Sequence, residues 1–314
     1  MSRLEDIYPA DRVTLREVGL RDGLQLVRTW PDTGTKRAWL AAEHAAGVRH
    51  FEIGSFLPAT RFPQFADVQA MIGAVSALDG ARSAALALNE RGADEALATA
   101  VDEIVCVISA TEEHSQANMR RSRAEAVALA GRISRMRDEA APGRIVNAGI
   151  SMAFGCSIAG AVDPSEVMRL AEACLEAGAD IVGLADTVGY AGPRQVGELC
   201  RSMQRLCGDR PFSIHLHDTR GMGMANAAAA LDNGARVLDG SLGGLGGCPF
   251  APGATGNAVF EDLVFLCETM GFATGIDLAG LREARAIAEA AMPGEAFYGA
   301  LSRAGPPQNM HWRA

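Results

Sequence analysis

Short runs of apolar and β-branched residues recur along the chain, and each is followed by a turn and then by an alanine-rich stretch with helical character. Eight of these runs predict strands, at residues 13–18, 50–55, 83–88, 103–109, 146–152, 181–185, 212–217 and 237–242. The stretches between them predict helices at residues 35–46, 65–78, 91–100, 123–139, 164–177, 193–206 and 224–233. Nearly continuous apolar runs are typical of parallel strands buried on both faces, so the pattern indicates repeated β/α units.

The repetition of eight β/α units predicts a TIM (β/α)8 barrel. A doubly wound α/β sheet is the alternative, but it rarely needs eight such units. Two more helical runs, residues 257–270 and 277–291, are candidates for the eighth helix and a C-terminal extension. We therefore expect a single catalytic barrel domain over residues 1–314, with a short extension from about residue 271.

Composition narrows the range of partners. Of the 314 residues, 48% are apolar and 21% are charged, which is typical of a globular protein with a large core. The net charge of −9 comes without a basic segment, so we expect a small-molecule partner, not nucleic acid or a membrane. The N-terminal residues lack an apolar signal core, which predicts a cytoplasmic location. The seven cysteines show no CxxC spacing and are expected to be mostly free thiols.

The segment FSIHLHDTRGMGMAN, residues 212–226, places two histidines at the end of the seventh predicted strand. Alternate residues of a strand share a face, so His215 and His217 are expected to point to the same side and to form a chelating pair. A hydrogen-bonded polar patch is the structural alternative, and it is about as frequent for this pattern taken alone.

Other polar residues close the predicted strands or follow them, at the end of a TIM barrel where active sites lie. They are Glu17, Arg21, Asp22, Gln25, Glu52, Asn89, Asp186, Thr187, Cys248 and Asn257. Each has a structural explanation by itself, such as a turn residue or an ion-pair partner. Together with the histidines they predict a divalent-cation site. One carboxylate, two imidazoles and an amide suit Mg²⁺, Mn²⁺ or Zn²⁺, and oxygen ligands favour Mg²⁺ or Mn²⁺.

Two cysteines are candidates for chemistry. Cys248 lies in the glycine-rich loop 244–257, where a cysteine is most often a small space-filling residue but can also reach substrate as an acid, base or nucleophile. Cys156 follows the fifth predicted strand and ranks below Cys248.

Five segments resemble, in order, the motifs of the 3-hydroxy-3-methylglutaryl-CoA lyase family, a group of barrel metallolyases related to Claisen condensing enzymes. They are LREVGLRDGLQ, FEIGSF with PQFAD, LADTVG, HLHDTRG and GLGGCPFAPGATGNAVFEDLV, and the resemblance spans residues 15–266. It implies cleavage of an acyl-CoA substrate to acetyl-CoA and a keto acid by a homodimeric enzyme.

The resemblance also implies roles for individual residues. It makes Asp22, His215, His217 and Asn257 the ligands of the divalent cation. Arg21 is expected to stabilise the enolate, Cys248 to take part in proton transfer, and Glu52 and Asp186 to support the site, with His215 or Asp186 as the base. Arg21, Gln25 and Asn89 are expected to contact substrate. Glu261, four residues after Asn257, is expected either to orient that ligand or to be solvated.

The sequence departs from the family pattern at two places. Leu26 and Val27 stand where these lyases usually have Asn-Glu, and Ser157 and Ile158 stand where they usually have Pro-Tyr. A citramalyl-CoA or a longer 3-hydroxy-3-alkylglutaryl-CoA is therefore an alternative substrate. An acetyl-CoA-dependent condensing acyltransferase of the isopropylmalate or homocitrate synthase type is the alternative reaction, and a non-catalytic acyl-CoA-binding barrel is the alternative outside enzymology.

Overall fold

Eight parallel strands form a closed barrel in the computed structural model, which describes residues 3–247 and 256–307. The strands are β1 (Thr14–Glu17), β2 (His50–Ser55), β3 (Arg82–Leu86), β4 (Glu103–Ser109), β5 (Ile145–Ser151), β6 (Ile181–Asp186), β7 (Ser213–Leu216) and β8 (Val237–Gly240). Each strand pairs with its neighbours in sequence, and β8 pairs with β1. The barrel confirms the predicted TIM fold, and each predicted strand overlaps an observed one.

Helices surround the barrel. They are α1 (Arg3–Ile7), α2 (Thr33–Ala45), α3 (Val68–Ser76), α4 (Glu90–Leu97), α5 (Glu112–Met119), α6 (Arg123–Ala140), α7 (Pro164–Glu176), α8 (Pro193–Cys207), α9 (Gly223–Asp232), α10 (Phe260–Thr269), α11 (Leu281–Ala291) and α12 (Ala300–Ala304). None of the helices in the described part of the chain combines the length and the apolar character needed to cross a membrane.

Helix α5 was not predicted from the sequence, and helix α10 starts later than predicted, each for a local reason. Helix α5 lacks an apolar stripe, since its buried residues are His114 and Ser115, and the hydrophobic pattern did not reveal it. Helix α10 starts three residues later than predicted because Asn257 and Val259 make β-bridges with His217 and Ser241. These bridges extend β7 and β8 toward the carboxyl end of the barrel.

Helix α1 covers the amino-terminal end of the barrel. Tyr8, just after this helix, stacks on the His50 ring with a centroid distance of 5.4 Å, and the His50 ring hydrogen-bonds the Ile7 carbonyl at 2.7 Å. The Tyr8 hydroxyl donates to Glu103 at the start of β4. The lower end of the barrel is therefore closed by a polar contact as well as by apolar packing.

A buried ion-pair network runs upward from this contact along the barrel interior. The Arg16 Nη1 atom lies 2.6 Å from Glu103 Oε1, and its Nε and Nη2 atoms donate to both carboxylate oxygens of Asp239 at 2.9 Å. Asn147 adds a hydrogen bond of 2.7 Å to Glu103. Arg16 and Asp239 are register partners on β1 and β8, so strand pairing alone brings them side by side.

Arg16→Met tests this network. The substitution leaves Glu103 and Asp239 buried without their cation, and we expect the free energy of unfolding to fall by about 3–5 kcal/mol. Urea unfolding at pH 7 measures the change. The control is Arg91→Met, which removes an exposed helix-surface ion pair with Glu95 and is expected to cost less than about 0.5 kcal/mol. Equal effects of the two substitutions would contradict the assigned role of Arg16.

Candidate active site and metal centre

A single π-helical turn, Gly19–Gly23, follows β1 and bears Arg21 and Asp22. Such turns are rare and frequently lie at functional sites. The turn packs closely on the barrel: a Cβ atom at Gly19 would lie 2.5 Å from Glu17 Oε1 and 2.9 Å from the Trp39 ring. A side chain at this position would push the turn away from Glu17 and Trp39. The glycine therefore allows the turn to lie close to the barrel mouth.

Three predicted metal ligands meet at this end of the barrel. One donor atom each from Asp22, His215 and His217 lie within 4.8 Å of one another. The two histidine Nε2 atoms are 3.1 Å apart, and Asp22 Oδ2 lies 4.0 Å and 3.9 Å from them. Atoms 3.1–4.0 Å apart are close enough to be ligands of one cation with bonds of about 2.1 Å. The spacing therefore suits a small divalent cation.

Asn257 supplies the fourth predicted ligand. Its Nδ2 atom donates to Asp22 Oδ2 at 2.9 Å and to the Leu245 carbonyl at 3.0 Å. Its Oδ1 atom is buried and, within the described residues, has no hydrogen-bond partner. An unsatisfied buried carbonyl oxygen is unfavourable, but it is a suitable ligand for Mg²⁺ or Mn²⁺. This orphaned oxygen fits the cation predicted from the sequence.

The protonation states also suit a cation. Burial would raise the pKa of Asp22, but the Arg21 guanidinium, the two histidines and Asn257 outweigh it and lower the pKa to about 2. Burial and the neighbouring His215 lower the pKa of His217 to about 4. Both side chains are therefore deprotonated at neutral pH, which is the form that binds a metal.

Arg21 is held in a fixed position beside these ligands. Its Nε and Nη2 atoms lie 2.8 Å and 2.7 Å from Glu52 Oε2, and its Nη1 atom lies 2.6 Å from Asp22 Oδ1. Nη1 also lies 3.2 Å from the Gln25 side-chain oxygen. The buried Glu52 thus orients a cation that can meet negative charge on a bound substrate.

Asp239 is a site residue that the sequence interpretation missed. Its Oδ2 atom lies 3.1 Å from His215 Nδ1, and both of its oxygens accept from Arg16. Burial would lower the pKa of His215, but this hydrogen bond raises it and leaves Nε2 facing His217. In the sequence Asp239 is an acidic residue inside the apolar strand VLDG, and not at a strand end, where active-site residues of a TIM barrel are expected.

Two other candidates have local partners in the structure. Asp186 accepts hydrogen bonds from the backbone of Tyr190 and Ala191, and Asn89 caps α4 by accepting from the Gly92 backbone. Burial raises the pKa of Asp186. Their predicted roles as base and as substrate contact remain predictions, although both side chains already perform structural roles.

The contacts of Glu261 differ from both expectations drawn from the sequence. It is buried, so it is not solvated, and its oxygens accept from the Gly243 backbone and from Arg285, each at 2.9 Å, instead of from Asn257. The i,i+4 spacing to Asn257 was misleading because helix α10 begins only at Phe260.

The described residues include one of the two cysteine candidates, Cys156. Cys248 lies outside the described residues. Cys156 is buried, and its Sγ atom accepts from the Thr111 hydroxyl at 3.2 Å and from the backbone of Ile158 and Ala159 at 3.4 Å and 3.3 Å. These bonds shape the loop after β5 and agree with the lower rank of Cys156.

Asp239→Asn tests the carboxylate behind His215. We expect the affinity for Mn²⁺ to fall by about 10–100-fold, because an amide orients the imidazole less strongly and lowers its basicity. Isothermal titration of metal-stripped protein measures the affinity. Asp232→Asn, an exposed residue at the end of α9, is the control and should leave it unchanged. An unchanged affinity in Asp239→Asn would exclude the assigned role.

Comparisons with known proteins cover most of the chain. The HMGL-like family model matches residues 12–287. The hydroxymethylglutaryl-CoA lyase YngG of Bacillus subtilis is 36% identical over 277 residues, which cover 88% of this chain and 92% of that protein. The (R)-citramalyl-CoA lyase of Chloroflexus aurantiacus is 38% identical over 283 residues, 86% of this chain and 88% of that protein.

A solved structure extends the likeness to the whole fold. An HMG-CoA lyase from Acinetobacter baumannii in complex with coenzyme A and 3-methylmalate superposes with a TM-score of 0.88 at 34% identity, covering 96% of this chain and 98% of that one. The family match over most of the sequence and the shared barrel lead to one conclusion: this chain belongs to the HMGL-like family.

Proposed function

We propose that this protein is a metal-dependent carbon-carbon lyase that cleaves 3-hydroxy-3-methylglutaryl-CoA, or a closely related 3-hydroxy acyl-CoA, to acetyl-CoA and a keto acid. The observation that carries the proposal is Arg21, which Glu52 fixes beside the donor atoms of Asp22, His215 and His217. Lyases at about 35% identity that align with most of the chain support the reaction class.

The residues of the site have separate roles in the proposed reaction. A divalent cation, held by Asp22, His215, His217 and the Asn257 carbonyl, would polarise the substrate hydroxyl and fix its orientation. The hydroxyl proton leaves to a base, and the adjacent carbon-carbon bond breaks. Its electron pair passes to the thioester as an enolate. Of the two candidates for the base, Asp186 is the better one, because His215 binds Asp239 through Nδ1 and would hold the cation through Nε2.

Arg21 is placed to stabilise that enolate. Its guanidinium is held by Glu52, so it meets the developing negative charge without first having to reorganise. A proton must then be delivered to the enolate carbon to give acetyl-CoA, and we assign this step to Cys248. Mg²⁺ or Mn²⁺ is the proposed metal, since two of the four donor atoms are oxygens.

The family relationship also supports two proposals about the protein in the cell. We propose a homodimer in the cytoplasm. Light scattering coupled to gel filtration measures the assembly, and cell fractionation measures the location.

The reaction is tested directly with metal-stripped protein and 3-hydroxy-3-methylglutaryl-CoA. We expect acetyl-CoA and acetoacetate to appear together, and only when Mg²⁺ or Mn²⁺ is added. A parallel assay offers acetyl-CoA with a panel of 2-oxo acids. Release of free CoA in that assay would instead identify a condensing acyltransferase.

Arg21→Met tests the enolate role. We expect turnover to fall by about 10²–10³-fold, because one preorganised charge donor is lost at the transition state. Mn²⁺ titration should show that metal is still bound, which separates this effect from loss of the cation site. Arg37→Met, on the exposed side of α2, is the control. Turnover close to that of the wild type would remove Arg21 from the mechanism.

A second candidate substrate has a larger apolar branch than methyl. Leu26 and Ile158, both at positions where the chain departs from the family pattern, are 46% and 48% exposed on loops that follow β1 and β5. Trp30, Tyr190 and Met222 are exposed on strand-to-helix loops at the same end of the barrel. Exposed apolar side chains around a site favour an apolar ligand group.

Leu26→Asn tests this candidate. If Leu26 contacts an apolar branch, kcat/KM should fall by about tenfold for a 3-hydroxy-3-alkylglutaryl-CoA with a long branch, and much less for the methyl substrate. Citramalyl-CoA is the third substrate of the panel. An equal change of kcat/KM for all three substrates would show that Leu26 does not select the branch.

A further inference from the structure

Two glutamates lie fully buried beneath the metal-bearing turn and are not used in the proposed mechanism. Glu17, the last residue of β1, and Glu43 of α2 are both 0% exposed. Glu17 Oε2 and both carboxyl oxygens of Glu43 are buried without a hydrogen-bond partner among the described residues. An ionised carboxylate in such a place is very unfavourable unless a cation pairs with it.

No such cation is found in the described part of the chain. None of its ion pairs includes Glu17 or Glu43, whereas Asp22, Glu52, Glu103 and Asp239 all pair with an arginine. The third carboxylate of the neighbourhood, Glu261 of α10, pairs with Arg285 of α11 and raises the pKa of both glutamates. The charge of the neighbouring Glu261 therefore favours the protonated form of both glutamates over the ionised form.

The remaining oxygen of Glu17 joins two segments of the active site. Glu17 Oε1 accepts from the Gly19 backbone at 2.8 Å and from the Leu242 backbone at 3.0 Å. Gly19 begins the π-helical turn that bears Arg21 and Asp22. Leu242 begins the short turn after β8, and the Leu245 carbonyl that follows this turn holds Asn257. One oxygen atom thus joins the supports of two proposed metal ligands.

Helix α2 supplies the other side of this junction. Trp39 and Glu43 are one helical turn apart on its buried face, and the Trp39 ring contacts the same side of Gly19 as Glu17 does. A neutral Glu43 has a hydroxyl to donate, and the partnerless oxygen of Glu17 is an acceptor within the same buried neighbourhood.

We propose that Glu17 and Glu43 form a carboxyl pair in which both groups are protonated at neutral pH and the proton of Glu43 lies in a hydrogen bond shared with Glu17. The two residues act as positioning residues that hold the π-helical turn and the β8 loop in register for metal binding. The positioning part rests on the metal site proposed above. Burial is the main reason that the pKa of Glu17 rises to about 8 and that the pKa of Glu43 is raised well above its usual range.

The shared proton has a measurable consequence for stability. An unfolded glutamate loses its proton near pH 4.5, whereas folded Glu17 keeps its proton until about pH 8. The folded state binds more protons over this range, so its stability relative to the unfolded chain falls as the pH rises from about 4.5 to about 8. Glu17→Gln removes the contribution of Glu17 to this loss and Glu43→Gln removes that of Glu43, because an amide does not titrate.

The first experiment measures urea midpoints of metal-stripped wild type, Glu17→Gln and Glu43→Gln from pH 4.5 to 8.5. We expect the midpoint of each variant, relative to the wild type, to rise steadily across this range. The control Glu95→Gln, an exposed residue of α4, should show a constant difference. A constant or falling difference for the two buried positions would overturn the proton-sharing pair.

The second experiment measures Mn²⁺ affinity at pH 7 for two opposite changes at one position. Glu17→Gln keeps the length and an acceptor oxygen but cannot ionise, whereas Glu17→Asp keeps a carboxyl group that can ionise and is one methylene shorter. We expect Glu17→Gln to bind as the wild type does, and Glu17→Asp to lose about 10–100-fold because it cannot reach both backbone groups.

Every other result of the second experiment decides against the proposal. Loss in Glu17→Gln with retention in Glu17→Asp would show that an ionised carboxylate is required. Retention in both variants would remove the positioning role, and loss in both would show that a neutral acceptor does not suffice. If the wild type binds no Mn²⁺, the metal site and the positioning role both fail, while the urea series still tests the shared proton separately.

Discussion

The pairing of Arg16 with Asp239 in the barrel interior is the interaction on which the site depends. Asp239 is bound on one side by the guanidinium and on the other by His215, so a single carboxylate links the structural charges of the barrel to a proposed metal ligand. Both contacts follow from strand register, since Asp239 lies opposite Arg16 on β1 and opposite His215 on β7. A shift in either register would separate the imidazole from its orienting group.

Carboxylates are buried in this barrel in two different ways. Burial would raise the pKa of Asp22 and Asp239, but an arginine lies against each and lowers it, so both are ionised and their charge serves the proposed cation. Glu17 and Glu43 have no such partner in the described chain, and burial holds their protons instead. The ionised carboxylates attract cations, whereas the protonated carboxyl groups support the backbone through neutral hydrogen bonds. Acidic residues therefore have two different roles in this barrel.

The carboxyl end of the barrel combines charge at its centre with apolar side chains around it. The central groups suit the cation-assisted cleavage proposed above. The surrounding loops depart from the family sequence pattern at Leu26 and Ile158, and both side chains are exposed. The proposed catalytic residues therefore lie at the strand ends, and the residues proposed to select the substrate lie on the loops beyond them.

The sequence by itself was sufficient for the barrel and for the metal-ligand candidates. Eight apolar runs alternating with helical stretches predicted the fold, and the two-residue period of a strand placed His215 and His217 on one side. The motifs then indicated Asp22 and Asn257, which the structure brings next to the histidines. These predictions needed only local periodicity and short motifs, because both depend on residues that are close in sequence.

The tertiary structure decided what each polar residue touches. The bond from Asp239 to His215 and the bonds of Glu261 to Gly243 and Arg285 depend on where loops and strands meet. The protonation of Glu17 and Glu43 depends on burial and on the absence of a neighbouring cation in the described chain. Burial and partner choice are set by contacts between residues far apart in sequence, and a linear pattern does not contain them.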